Sequence, residues 1–280
     1  MGAVRLRRGP HPDRARQDAE SLLRHLLGKD KAWLIAHWED PLRDEQAADY
    51  MELLERRYQG EPIQYITGVT EFYGLPFRVT PDVLIPRPET ELLVESVINL
   101  VEHLQAPRIV DVGTGSGAIA VALANQLPAA QITAIDISPQ AIDVARQNAG
   151  RNSVSDRITF LKGDLLAPFA AHQSAARQFD IVVSNPPYVP ATDRPSLAVE
   201  VREHEPALAL FAGDDGLDVY RRLIPAAFAA LVAGGYIALE IGFGQSPAIA
   251  ELLTASGFHE IDFLRDLQNI PRVAIAQRRT

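Results

Sequence analysis

Two short stretches carry residue types whose order could perform chemistry: Asn185-Pro186-Pro187-Tyr188 and Asp111-Val112-Gly113-Thr114-Gly115-Ser116-Gly117. In the first, consecutive prolines remove two N–H donors from the backbone and leave the carbonyls. Each proline also fixes its own φ and pushes the preceding residue to extended geometry. The product is a stiff corner rich in acceptors, with the Asn185 carboxamide beside it. Such a corner suits a planar amino group, whose two N–H bonds need two acceptors. The tetrapeptide follows the apolar run Phe179 to Ser184, which reads as a buried strand. That places the corner at the carboxyl end of a strand, where open α/β sheets hold their ligands. Taken alone, a Pro-Pro turn capping a strand explains the same residues, so the second stretch carries weight.

Gly113, Thr114, Gly115, Ser116 and Gly117 join one strand to the helix after it, and glycines there let the backbone approach a ligand without an intervening Cβ. Asp136 ends the next strand, placed to accept hydrogen bonds from ribose hydroxyls. Together they imply a nucleotide-type cofactor. Gly113, Gly115 and Ala118 also satisfy the dinucleotide fingerprint, so an NAD-dependent oxidoreductase is the rival of an enzyme using S-adenosyl-L-methionine. Asp111 suits the ammonium group of the latter. A dehydrogenase needs a proton donor and a hydride acceptor site, which Asn-Pro-Pro-Tyr does not supply. Methyl transfer to a planar nitrogen needs that nitrogen oriented, which the corner does. Asp164 ends a third strand, either lining an adenine pocket or serving as a strand-end turn acid. Glu240 is a lone acid in an apolar strand, hence paired or close to the site. Arg87, in Pro86-Arg87-Pro88-Glu89, reads as helix entry rather than a ligand contact.

The elements that must position these residues alternate. Strands are expected over 108–111, 131–136, 158–161, 179–184, 235–241, 258–264 and 273–276, with helices over 116–127, 139–149, 217–231 and 246–255. This alternation implies a doubly wound, mostly parallel sheet. Ahead of it, helices are expected over 15–27, from after the N-cap Asp30 through Trp38, and over 44–58, the first and third stopped by Gly28 and Gly60. Between the two, Tyr65-Ile66-Thr67, Glu71-Phe72-Tyr73 and Phe77-Arg78-Val79 read as β-like pieces broken by Gly68 and Gly74-Leu75-Pro76.

In 280 residues the composition is 47% hydrophobic and 22% charged, ordinary for a soluble globular chain, and no apolar run reaches a membrane span. The first sixteen residues hold five arginines without the apolar core of a signal peptide, so a poorly ordered basic tail and a cytoplasmic protein are expected. There is no cysteine, and the seven histidines lack metal-site spacing. Residues 1–80 carry 12 basic and 13 acidic side chains and residues 81–280 carry 15 and 23, an acidic bulk that opposes direct nucleic-acid binding.

With these residues in view, the chain resembles the release-factor glutamine methyltransferases, the PrmC/HemK family. The matching stretches are Gly60 to Ile63 and Thr67-Gly68, Leu84 to Glu91, Asp111 to Ala120, Ser184 to Tyr188, Asp215-Gly216-Leu217 and Leu239 to Gly242. The resemblance implies an α/β chain: a Rossmann-like methyltransferase sheet over residues 86–280, a small N-terminal helical bundle for substrate recognition over 1–62, and a β-hairpin linker over 63–85. It implies methyl transfer from S-adenosyl-L-methionine, with S-adenosyl-L-homocysteine as product, to the glutamine of the Gly-Gly-Gln loop of class I peptide chain release factors. Carried over by position, Asp111, Gly113 to Gly117, Asp136, Asp164, Leu165 and Asn185 would hold the cofactor, Leu165 touching its adenine. Asn185 to Tyr188 would hold the glutamine. Asn185, Pro186 and Tyr188 would be catalytic. A glutamine methyltransferase for a ribosomal protein, an adenine-N6 nucleic-acid methyltransferase and a non-catalytic binding module are the alternatives.

Overall fold

The computed structural model describes residues 2–170 and 178–279. The chain divides into two compact units, one made of residues up to Val69 together with Ser196–Glu205, the other of Thr70–Pro195 with the residues from Pro206 onward.

The first unit is helical: α1 (Gly2–Leu6), α2 (Ala15–Leu27), α3 (Lys31–Ala36), α4 (Asp44–Tyr58), α5 (Ile63–Thr67) and, much later in the chain, α10 (Val199–His204). Leu6, Ala15, Ala19, Leu22, Leu54 and Ile66 form its apolar centre. The period that predicts α2 is thus the period that buries it. Asp30 caps α3 by accepting from the Trp33 N–H at 2.7 Å. Two expectations fail here. The basic start of the chain is helix α1 rather than a loose tail, with Leu6 buried and Arg5 paired to Glu55. Tyr65–Thr67 is helical, not extended, because Pro62 opens α5, Gly68 closes it at φ 74°, and burial of Tyr65 and Ile66 outweighs β propensity. Arg57, 2% exposed, joins α2, α4 and α10: Nε donates to Asp18 at 2.7 Å and Nη1 to Glu200 at 2.9 Å.

After α5 comes a hairpin, β1 (Val69–Phe72) and β2 (Leu75–Arg78), turned by Tyr73 and Gly74 at φ 53° and 70°, all of it but Val69 in the second unit. Positive φ at both turn residues matches the twist of a two-residue hairpin, so the turn lies one residue earlier than Gly74-Leu75-Pro76 suggests. Then come α6 (Thr90–Val101), β3 (Arg108–Val112), α7 (Ala118–Gln126), β4 (Gln131–Asp136), α8 (Pro139–Arg151), β5 (Ile158–Lys162), α9 (Ala167–Ala170), β6 (Phe179–Ser184), α11 (Asp218–Ala230), β7 (Leu231–Glu240), α12 (Ser246–Ala255), β8 (Phe258–Arg265) and β9 (Pro271–Arg278). The strands form one sheet in the order β5-β4-β3-β6-β7-β9-β8, parallel except for β9. Successive strand residues face opposite sides. Ile109 and Ile181 pack with α6 and α7, while Val110 and Val182 pack with α11 and α12.

The strand order reverses between β3 and β6, which pair in register with Asp111 beside Val183. Ligands of open α/β sheets bind at such a reversal, outside the carboxyl ends of the strands. Both stretches singled out in the sequence emerge there. Among the described residues no helix is long and apolar enough to cross a membrane, and no cluster of three or more His, Asp or Glu could hold a metal ion.

Candidate active site

The glycine loop leaves β3 at Val112 and is held by short bonds. Gly113 N–H and Thr114 N–H donate to the Ile135 carbonyl at 2.8 and 2.9 Å, and Gly115 N–H donates to Asp136 Oδ2 at 2.8 Å. A Cβ on Gly115, whose φ is 54°, would meet nothing within 4 Å, so the loop turns open backbone toward empty space. On Gly117 it would lie 3.0 Å from the Ala145 Cβ, which shows how closely α7 approaches α8. Asp111 is fully buried beneath the loop, where its Oδ2 accepts from Thr114 Oγ1 at 2.6 Å. Burial pushes its carboxyl up to about 7, and hydrogen bonds from Thr114 and the Ala120 backbone oppose that rise. Burial likewise raises Asp136, although the backbone N–H groups of Ser138 and Gly115 favour its charged form.

The loop borders a cavity of about 410 Å³, the size of a small-molecule site. Of the residues singled out in the sequence, Gly113, Thr114, Gly115, Ser116, Asp136, Asp164, Leu165, Asn185 and Pro187 line it. Asp111, Gly117, Pro186 and Tyr188 are not in its lining. Leu165 takes φ 51°, a left-handed conformation that costs a non-glycine residue on the order of 1–3 kcal/mol, held beside the cavity. The Asp164 carboxylate is met by Arg222 Nη2 at 2.5 Å. Leu84 and Thr90, from the Leu84 to Glu91 stretch, also line the cavity, as do Pro81, Asp82, Val83, Leu208, Phe211 and Arg222, which were not singled out because no local pattern marks a residue that reaches it from a distant loop.

The Asn-Pro-Pro-Tyr corner leaves β6 next to this loop, and Ser184 ties the two by donating to the Val112 carbonyl at 2.6 Å. Asn185 Nδ2 donates to Thr90 Oγ1 at 3.1 Å, and Thr90 Oγ1 donates to Glu240 Oε2 at 2.6 Å. The Tyr188 hydroxyl donates to Glu240 Oε1 at 3.1 Å. The expectation that Glu240 is paired therefore holds, with partners the sequence does not name. Burial raises the Glu240 carboxyl, and the Thr90 and Tyr188 hydroxyls oppose it. Behind the corner, Gln245 Nε2 donates to the Tyr188 carbonyl at 3.0 Å, and a Cβ on Gly216 would stand 2.3 Å from that oxygen. The Asp215-Gly216-Leu217 and Leu239 to Gly242 motifs thus cradle Tyr188.

Family comparison agrees with this geometry. The chain matches the PrmC N-terminal domain over residues 4–68 and the methyltransferase small domain over residues 89–203. It is 43% identical over 261 residues to the release factor glutamine methyltransferase of Geobacter sulfurreducens, covering 93% of this chain and 89% of that one. The chain belongs to the release factor glutamine methyltransferases. It is also 42% identical over 268 residues to the family member from Moorella thermoacetica, covering 95% and 93% of the two chains. Among solved structures, the hMettl16 catalytic domain in complex with MAT2A 3'UTR hairpin 1 superposes with a TM-score of 0.59 at 19% identity, covering 84% of this chain and 81% of that one. At that identity the likeness shows the methyltransferase fold alone.

Proposed function

We propose that the chain transfers a methyl group from S-adenosyl-L-methionine to the side-chain amide nitrogen of the glutamine in the Gly-Gly-Gln loop of class I peptide chain release factors. The observation that carries this reading is the Ser184 bridge, which sets the acceptor-rich corner against the glycine loop with Asn185 facing the same cavity. Membership of the family supports it.

The residues present fit the cofactor. Gly113 and Gly115 turn open backbone to the cavity, and Asp136, whose carboxylate accepts backbone N–H groups, borders the same cavity where a ribose hydroxyl would lie. Asp164 and Leu165 border the end where adenine would lie. When bound, the cofactor supplies an electrophilic methyl group on a sulfonium. The chain's own residues make a poor nucleophile usable. A carboxamide nitrogen is weak because its lone pair is delocalised into the carbonyl. The Asn185 side-chain oxygen and the Pro186 carbonyl would accept its two N–H bonds, aiming the lone pair at the methyl and favouring a pyramidal nitrogen. Tyr188 would wall the amide and exclude water. Positioning of this kind can lower a barrier by about 7–11 kcal/mol.

Labelled S-adenosyl-L-methionine offered with intact release factor and, separately, with DNA tests the reading. Label should enter the release factor at its Gly-Gly-Gln glutamine and leave DNA unlabelled. Labelled DNA, or a release factor labelled elsewhere, would overturn it.

A further inference from the structure

Thr90 and Glu240 have no part in the scheme above, yet they set its geometry. Glu240 is 2% exposed on a strand whose neighbours Ile237, Ala238 and Leu239 are fully buried. An acid there needs a hydrogen-bond partner for each oxygen. Thr90 Oγ1 donates to one at 2.6 Å and the Tyr188 hydroxyl to the other at 3.1 Å. A hydroxyl has a single proton. With that of Thr90 committed to Glu240, its oxygen can only accept from the remaining neighbour, the Asn185 carboxamide at 3.1 Å. A carboxamide has one donor end and one acceptor end. The end facing Thr90 must be Nδ2, so Oδ1 faces the other way.

We propose that Thr90 and Glu240 are positioning residues that fix the rotation of the Asn185 carboxamide, so that its oxygen rather than its amino group meets the substrate nitrogen. This rests on the reading of Asn185 as the acceptor for the glutamine amide. In the inverted rotamer Nδ2 would oppose the substrate –NH2, donor against donor, and the buried Thr90 oxygen would lose its partner. Rotations of an amide about its last torsion are otherwise close in energy, because oxygen and nitrogen have nearly the same shape. Some neighbour must choose, and the choice is made by the Thr90 oxygen, whose one proton is committed to Glu240. Through Tyr188 the same carboxylate orients the far end of the tetrapeptide, so one buried acid sets both ends of the corner.

The test is a double-mutant cycle of Thr90→Val with Asn185→Ala, read as kcat and KM with intact release factor. Thr90→Val should lower kcat roughly five- to tenfold in the Asn185 background, the equivalent of one hydrogen bond, with little change in KM. Thr90→Ser, which keeps the hydroxyl, should restore kcat to within about twofold. In the Asn185→Ala background Thr90→Val should change kcat by less than about twofold, because there is no carboxamide left to orient. Equal losses in both backgrounds would overturn the inference and make Thr90 a packing residue of the cavity wall. Near-normal kcat in Asn185→Ala alone would instead overturn the reading of Asn185, and this inference with it. Should Thr90→Val fail to fold, Thr90→Ala removes the same acceptor without pressing a methyl on Glu240 and takes its place in the cycle.

Discussion

Asp136 holds two positions at once. Its oxygens accept the backbone N–H groups of Gly115 and Ser138, which shapes the glycine loop, and the residue also lines the cavity. Asp136→Ala should weaken S-adenosyl-L-methionine binding by about tenfold or more, since it removes a charge-assisted acceptor. An unchanged affinity by calorimetry would take Asp136 out of the cofactor site. Asp111 makes a prediction about pH. Its carboxyl is pushed up to about 7 from 3.8, so between those values the folded chain holds a proton that the unfolded chain has lost. The stabilisation from this group is complete below the lower value and is lost as pH rises through the upper one. Asp111→Asn stays neutral throughout, so its melting temperature relative to the parent should climb by a few degrees between about pH 5 and about pH 8. A difference that does not vary with pH would refute that account. At this scale the sequence was legible wherever residue type alone dictates chemistry, as at Asn185 and Asp136. Glu240 was legible as an acid in need of a partner, but its pairing with Thr90 was not, because the two stand 150 positions apart.

Elements were read best where one physical requirement governs them. The β6 strand Phe179–Ser184 is buried at every position but Asp180, its core Ile181 to Val183 is apolar, and its bounds agree with the pattern. Residues 65–67 went astray because three β-branched or aromatic residues say nothing about the proline and glycine that frame them. A loop that supports another loop does not show that work in its sequence. Gly216 belongs to a stretch that carries the resemblance, but its reason is structural: φ is 75° and the Tyr188 carbonyl stands where a Cβ would be. Gly216→Ala should lower the melting temperature by several degrees, on the order of 1–3 kcal/mol, and reduce turnover together with it as Tyr188 is displaced. Full stability in that variant would mean that the loop yields freely and that the cradle around Tyr188 has no mechanical role.

At the scale of the molecule, the first unit is built from two pieces of chain. Nothing in the sequence marks Ser196–Glu205 as belonging with residues up to Val69, since α10 has the same composition as any exposed helix. What joins it is Arg57, a buried cation whose guanidinium needs both Asp18 and Glu200. Arg57→Ala should cost about 3–5 kcal/mol, because it leaves carboxylates without their counter-charge. Chemical denaturation would show it, and a loss below about 1 kcal/mol would mean that water replaces the guanidinium at no penalty.

This two-piece construction has a consequence for biosynthesis. Arg57 and Glu200 lie 143 residues apart. At about 5–20 residues per second, roughly 7 to 30 s of translation separate the moment the bundle's arginine is made from the moment its second acid is made. A nascent chain in that interval carries an amino-terminal bundle with an uncovered flank, and closes it only after most of the sheet has left the ribosome.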